Sequence, residues 1–303
     1  SSAASDVYKR QGLCAKWMPR KGKIAEELRA FLDFSPKRYR KTLVTLTNVV
    51  ETQMCANKWD EIEFGKIPSL ASARYKKAFK RQATESYAKY AEALKNGTAK
   101  INAGAVFPYD VLKGAIGTYE CRALGETERQ VMLSQWEALP NYVGEGSVLP
   151  MVDVSGSMSS SKVHGTSLTC MDVAMSLGLY MAEKNTGPFK DTFLTFTDSP
   201  QLMYLKGNVF DKLDQMSGAV GYSTNVDAAF QKVLDVAIEQ KIPAEFMPEN
   251  ILILSDMQFN SHEIHGKSVS AMEMIRAKYK EAGYEVPNIV FWNLNSYGNA
   301  PTR

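Results

Sequence analysis

The chain has 303 residues, of which 45% are hydrophobic and 23% are charged, a balance typical of globular rather than disordered proteins. No apolar run approaches the roughly 20 residues that cross a bilayer, and the N-terminus lacks the pattern of a signal peptide. The four cysteines form no CxxC pair, which argues against a disulfide framework or a zinc knuckle. Composition therefore predicts a soluble, cytoplasmic protein with no membrane association.

Charge is divided unevenly along the chain, although the whole carries only +3. Residues 1–150 contain 24 Lys+Arg against 16 Asp+Glu, whereas residues 151–303 contain 12 against 17. The first half is therefore basic and the second acidic. This asymmetry predicts an anionic partner for the first half and a cation for the second. The alternative is that the charges only keep helix faces solvated.

The first part of the chain has the apolar spacing of helices. Residues 1–11, SSAASDVYKRQ, resemble adapter-derived sequence and are interpreted as non-native, so we expect the chain to be truncated at its start. Residues 12–140 are predicted to form an all-helical module. Its predicted helices, in chain order, cover 24–34, 39–54 after a helix start at Ser35-Pro36, 69–95, 109–115 and 126–139.

The pattern changes at a Gly-containing linker, 141–147, after which strand-length apolar runs alternate with amphipathic segments. Strands are predicted at 148–154, 192–196, 251–254 and 288–292, with a short edge strand at 202–205. Helices are predicted at 169–183, 209–216, 225–240 and 268–282. This alternation predicts a doubly wound, mostly parallel, Rossmann-like sheet domain over 147–303, so the fold class is α + α/β. Its last strand is followed by few residues, and we expect this domain to be truncated as well.

Polar side chains follow the strands where a ligand site is expected. Asp153, Ser155 and Ser157 come directly after the first strand, Asp256 follows the ILIL strand, and Thr224 lies in the loop before the helix at 225. In such sheets, ligands bind outside the carboxyl ends of the strands. Carboxylate and hydroxyl oxygens suit Mg²⁺ or Mn²⁺. The sequence therefore predicts a metal site from these five residues; the alternative is ordinary helix capping.

The phrase DVSGSM, taken with Thr224 and Asp256, resembles the metal-ion-dependent adhesion site of von Willebrand factor A domains. The resemblance implies that Asp153, Ser155 and Ser157 lie near the ion, with Thr224 direct or through water and Asp256 mostly through water. It also implies an open coordination position, which an acidic residue of a protein partner fills. Ser223 adjoins Thr224, and a shift of one residue would exchange their roles.

Longer phrases, among them YRKTLVTLTNVVETQMCANKWDEI and ILILSDMQF, resemble an uncharacterised family of phages, bacteria and plants. Its members join a TROVE-like helical module to an A-type domain, as in the Ro ribonucleoprotein. The resemblance covers nearly all of residues 12–303. It implies RNA binding by the helical module.

Two basic clusters are candidates for RNA contacts. One contains Lys37, Arg38, Arg40 and Lys41, and the other contains Arg74, Lys76, Lys77, Lys80 and Arg81, with Tyr75 and Phe79 interleaved. Cations beside aromatic rings are typical of surfaces that contact phosphates and stack on bases. The alternative is a solvated helix with buried aromatics.

The sequence contains no GxxxxGK[ST] and no GxSxG motif, and the serines of 157–161 have no partnered base. A binding protein is therefore predicted rather than an enzyme. The expected function is that of a metal-dependent, RNA-binding ribonucleoprotein component of Ro type. The alternative is a metal-dependent protein adaptor without nucleic acid.

Overall fold

The computed structural model describes residues 12, 14–47, 49–117, 123–144, 147–219, 221, 225–256 and 269–295. The chain divides into two compact units, Ser1–Asn102 and Ala103–Arg303. The fold is mixed α/β, with many helices and a mostly parallel sheet. The residues interpreted as adapter-derived, 1–11, lie outside the described residues.

Helices form the described part of the first unit: α1 Lys23–Phe31, α2 Pro36–Leu46, α3 Val50–Cys55, α4 Ser69–Gln82 and α5 Thr84–Lys95. Helix α2 begins as predicted, since the Ser35 hydroxyl accepts a hydrogen bond from Arg38 N and Pro36 takes the first helical position. The continuous helices predicted over 39–54 and 69–95 are wrong. One helix ends at Leu46 and the next begins at Val50, and Ala83 leaves the helical region at φ −122° and ψ 41°.

An aromatic cluster packs α4 and α5 together. The ring of Phe64 lies 5.3 Å from that of Phe79, 5.1 Å from that of Tyr87 and 5.4 Å from that of Tyr90, measured between ring centroids. Phe79 is fully buried. These rings stabilise the bend between the helices, because both helices contribute to one apolar cluster.

The second unit contains α6 Pro108–Leu112, α7 Glu126–Glu137, β1 Val148–Val152, α8 Ser157–Ser160, α9 Cys170–Lys184, β2 Thr192–Thr195, β3 Leu202–Tyr204, α10 Val209–Ser217, α11 Val226–Glu239, β4 Asn250–Ser255, α12 Val269–Glu281 and β5 Asn288–Asn293. Within the described residues the sheet has five strands in the order β3-β2-β1-β4-β5. Strand β3 is antiparallel to β2, and the other neighbours are parallel. The predicted alternation of strands and helices is confirmed, while the short α8 was not predicted.

Side chains alternate across the sheet and are covered on both faces. Met151 and Ile253 belong to one core cluster with Phe230 of α11 and Tyr279 of α12. On the opposite face, α9 approaches so closely at Gly178 that an added Cβ would collide with Val152 Cγ2. Helices on both faces therefore bury the central strands and fix their carboxyl ends.

The segment that precedes the linker packs within the second unit. The indole Nε1 of Trp136 donates to Glu183 Oε2 at 2.6 Å, and the backbone N of Tyr142 donates to the hydroxyl of Tyr180 at 2.7 Å. Both acceptors belong to α9. In the described part of the chain, no helix combines the length and apolarity that a membrane span requires.

Candidate metal centre at the ends of two central strands

The strands β1 and β4 are neighbours in the middle of the sheet, and their carboxyl ends form the candidate site. Val152 pairs with Leu254 in the parallel register, and Asp153 N donates to Leu254 O at 3.0 Å. The chain goes from β1 to β2 on one side, while β5 lies beyond β4 on the other. Ligands of open α/β sheets bind in the crevice between such diverging connections.

Asp153 is the anchor of the site and is fully buried. Its Oδ1 accepts a hydrogen bond from Ser155 N at 2.9 Å, and its Oδ2 accepts one from the Ser255 hydroxyl at 2.6 Å. Ser255 is fully buried at the end of β4 and therefore holds the carboxylate in one orientation. Ser255 could not be recognised from local sequence as part of the site, because its partner lies 102 residues away.

A chain of oxygen atoms leads from this anchor toward solvent. The hydroxyls of Ser155 and Ser157 lie 3.1 Å apart, and the Ser157 hydroxyl donates to Asp256 Oδ1 at 3.3 Å. Ser155 is buried, Asp256 is half-buried and Ser157 is exposed. The structure thus brings together Asp153, Ser155, Ser157 and Asp256, whereas Thr224 and Ser223 lie outside the described residues.

The local electrostatic potential is negative. Cys170, the first residue of α9, is fully buried. Burial, followed by the charges of Asp256 and Asp153, raises the pKa of the Cys170 thiol to about 11. A cation would be attracted to the same place.

The donor set consists of two carboxylates and two hydroxyls, which are hard oxygen ligands that fit Mg²⁺ or Mn²⁺. Each oxygen of the Asp153 carboxylate has capacity for more than its one hydrogen bond. In the part of the chain that the structure describes, no three His, Cys, Asp or Glu side chains form a metal-holding group.

The first predicted basic cluster lies on α2. Lys37, Arg38, Arg40 and Lys41 are all exposed. The guanidinium of Arg38 lies 4.3 Å from the ring centroid of Phe34. An open groove of about 500 Å³ runs along the helix, lined by Ser35, Lys37, Arg38, Lys41, Thr42, Thr45 and Leu46. Three cations and three hydroxyls therefore share one concave surface.

The second predicted basic cluster lies on α4. Arg74, Lys77 and Arg81 are exposed, and Lys80 is half-buried. The interleaved aromatics do not form a stacking surface, because Phe79 is fully buried and the Tyr75 hydroxyl donates to Glu51 Oε1 at 3.1 Å. Three cations of this helix are therefore exposed, whereas Lys76 is buried and Lys80 is half-buried.

Comparison with known proteins gives two family matches and a relative. Residues 147–303 match a domain of unknown function, DUF7788, and residues 1–147 match a second one, DUF2828. A protein of Acanthamoeba polyphaga mimivirus, named as uncharacterized, is 33% identical over 315 residues, which cover 94% of this chain and 52% of the relative. The chain therefore spans about half the length of this curated relative.

These matches correct the family suggested by the sequence phrases. The chain matches the two DUF models and an uncharacterized viral protein, so its assignment to Ro-like proteins with a TROVE-like module and a von Willebrand factor A domain is wrong. The oxygen cluster does not depend on that assignment, since hydrogen bonds among its own residues define it. Because the first model covers more than half of the chain, this protein belongs to the DUF7788 family.

Proposed function

We propose that this protein is a metal-ion-dependent binding protein and not an enzyme. Asp153, Ser155, Ser157 and Asp256, with Thr224, would hold Mg²⁺ or Mn²⁺ at the ends of β1 and β4. A bound divalent ion would supply positive charge that attracts an acidic group of a protein partner.

The burial of Asp153 carries this proposal. Among the described residues its carboxylate forms no ion pair, although its exposure is 0%. A buried carboxylate without a cation is unfavourable by several kcal/mol even when it is hydrogen-bonded. A divalent ion at the neighbouring oxygens would compensate this charge, which explains why a carboxylate occupies the end of a central strand.

The exposure of the site residues increases from Asp153 to Ser157, which supports binding of a group from a partner at the solvent side of the site. The charged anchor is buried, whereas Ser157 is exposed and Asp256 is half-buried. An ion held between them would face solvent on the side of Ser157. With Asp153 as the one carboxylate bound directly and Asp256 bound through water, a divalent ion would keep net positive charge, so an acidic group would be the favoured ligand.

Titration calorimetry of the complete chain with Mg²⁺ and with Mn²⁺ tests the proposal. We expect one site for either ion and a higher melting temperature in its presence, because a ligand that binds only the folded state stabilises it. A wild-type chain that binds neither ion would refute the proposed function.

RNA binding by the first unit is a second candidate, and the charge distribution between the two units favours it. Residues 1–102 contain 21 Lys+Arg against 10 Asp+Glu, while residues 103–303 contain 15 against 23. Arg74, Lys77 and Arg81 recur at helical spacing and are exposed. Over seven steps of about 1.5 Å they form a row about 10 Å long, which can follow several phosphates.

Reversing the charge of Lys77 and Arg81 to Glu is expected to weaken binding of a labelled single-stranded RNA by more than about tenfold at low salt. Loss of two phosphate contacts should also reduce the salt slope by about 1.4. Filter binding at several salt concentrations measures both effects.

The double reversal of Lys89 and Lys95 to Glu is the matched control, since both lysines are exposed on α5 of the same unit. It should change RNA affinity much less. Equal losses of RNA affinity in both variants would indicate a general charge effect. A lower melting temperature of the Lys77 and Arg81 variant with unchanged RNA affinity would show that these residues stabilise the fold instead of binding RNA. Absence of RNA binding by the wild-type chain would remove this candidate.

A further inference from the structure

A hairpin stands directly beside the oxygen cluster, between α8 and α9. Ser161 N donates to Ser157 O at 2.8 Å, and Cys170 N donates to Ser161 O at 2.9 Å. Lys162 and Thr169 then pair as antiparallel neighbours. The hairpin is therefore anchored through its backbone to Ser157, a residue of the candidate metal centre.

Internal hydrogen bonds fix the shape of this hairpin. Val163 N donates to Leu168 O at 3.0 Å, and the Thr166 hydroxyl donates to Val163 O at 2.9 Å while it accepts from Leu168 N at 3.2 Å. Gly165 supplies the positive φ of 74° at the turn. The backbone of a hairpin held in this way keeps its shape when a ligand binds, so little backbone conformational entropy is lost.

One exposed lysine lies on the hairpin and a second contacts it. Lys162 lies at the base of the hairpin, and Lys113 Nζ donates to the Ser167 hydroxyl on the other strand at 3.3 Å. Within the described residues, neither lysine takes part in an ion pair. They are cations on the acidic unit of the chain, and the hairpin that contains Lys162 and contacts Lys113 is hydrogen-bonded through its backbone to Ser157 of the candidate metal centre.

We propose that the ligand is an acidic protein segment with several carboxylates: one binds the ion, and others contact Lys162 and Lys113. This inference rests on the proposed function and names the partner of the same site. Lys162 belongs to the hairpin and Lys113 contacts it at Ser167, so the two ammonium groups meet it at different residues. An extended chain with repeated carboxylates matches this arrangement better than a single small anion. Exposed charges of this kind mainly determine which partner binds and how fast it associates.

Fluorescence anisotropy with a labelled hexaglutamate peptide tests the proposal in the complete chain. With Mg²⁺ present we expect binding that a chelator abolishes. The double reversal of Lys113 and Lys162 to Glu is expected to weaken peptide binding about tenfold, because exposed pairs contribute little individually and reversal adds repulsion. Mg²⁺ affinity, measured by calorimetry, should change much less than peptide affinity.

The matched control reverses Lys190 and Lys206 to Glu. Both are exposed, and both lie near Thr192 and its partner Tyr204, at the edge of the sheet opposite the site. This control should stay within about twofold of wild type, since charges beyond a Debye length are largely screened.

The outcomes separate the two proposals. A chain that binds no ion refutes the proposed function. Ion binding with peptide affinity unchanged by the hairpin reversal refutes the present inference alone, as does an equal loss in the control variant. Tighter binding of a phosphoserine peptide than of hexaglutamate would overturn the assignment of carboxylates as the recognised groups.

Discussion

Replacing Asp153 by Asn is expected to abolish binding of Mg²⁺ and Mn²⁺, with affinity at least about 100-fold lower, because the change removes the one buried charge of the site. The same variant should be as stable as wild type or more stable without metal, since an uncompensated buried carboxylate is unfavourable. With ion at about 100 times its Kd, wild type should gain about 2.7 kcal/mol and the variant nothing. Calorimetry and urea unfolding measure these quantities.

Two further variants serve as an intermediate case and a control for the loss of ion affinity. Ser255→Ala removes the hydroxyl that holds Asp153 Oδ2 at 2.6 Å and should lower ion affinity about tenfold, as loss of an orienting partner commonly does. Asp214→Asn makes the same chemical change at an exposed carboxylate of α10 and should leave affinity unchanged. Wild-type ion affinity in the Asp153 variant would contradict the site.

The sheet could be predicted from the sequence because its strands are buried on both faces. Such strands appear as continuous apolar runs, and the ends of β1 and β4 differ from the predicted ends by no more than two residues. The position of Asp153 and Asp256 follows from the same argument, since residues that follow parallel strands meet at one edge. The hydrogen bond from the Ser157 hydroxyl to Asp256 Oδ1 joins the segments that follow β1 and β4 at this edge.

Other features could not be predicted from local patterns. The bend at Ala83 leaves the apolar spacing intact, because Phe79 before it and Tyr87 after it pack on the same ring of Phe64. The role of Ser255 depends on a contact across 102 residues. The pairing of Lys212 with Glu183 and Asp191 likewise joins segments distant in sequence. We expect its loss to lower the stability of the chain strongly.

Replacing Lys212 by Met is expected to destabilise the chain by about 3–5 kcal/mol. The ammonium lies 2.8 Å from Glu183 Oε1 and 2.8 Å from Asp191 Oδ1, with only 11% of the side chain exposed. Removal of the ammonium leaves two partly buried carboxylates without a cation, and such uncompensated charges lower the free energy of unfolding strongly. Glu183 also accepts from Trp136, so the loss should loosen α7 on α9. Urea unfolding measures the effect.

The pH dependence distinguishes this ion pair from simple packing. Burial lowers the pKa of Lys212, but the hydrogen bonds and charges of Asp191 and Glu183 outweigh it, and the pKa rises above its ordinary 10.5. The contribution to stability is therefore complete below pH 10.5 and is lost as pH rises through the higher folded pKa. The difference between wild type and variant should stay constant from neutral pH to about pH 9 and decrease above pH 10.5. Lys190→Met, at an exposed lysine, should change stability by less than about 0.5 kcal/mol. A difference that persists at strongly alkaline pH would assign the effect to lost packing of the aliphatic stem instead.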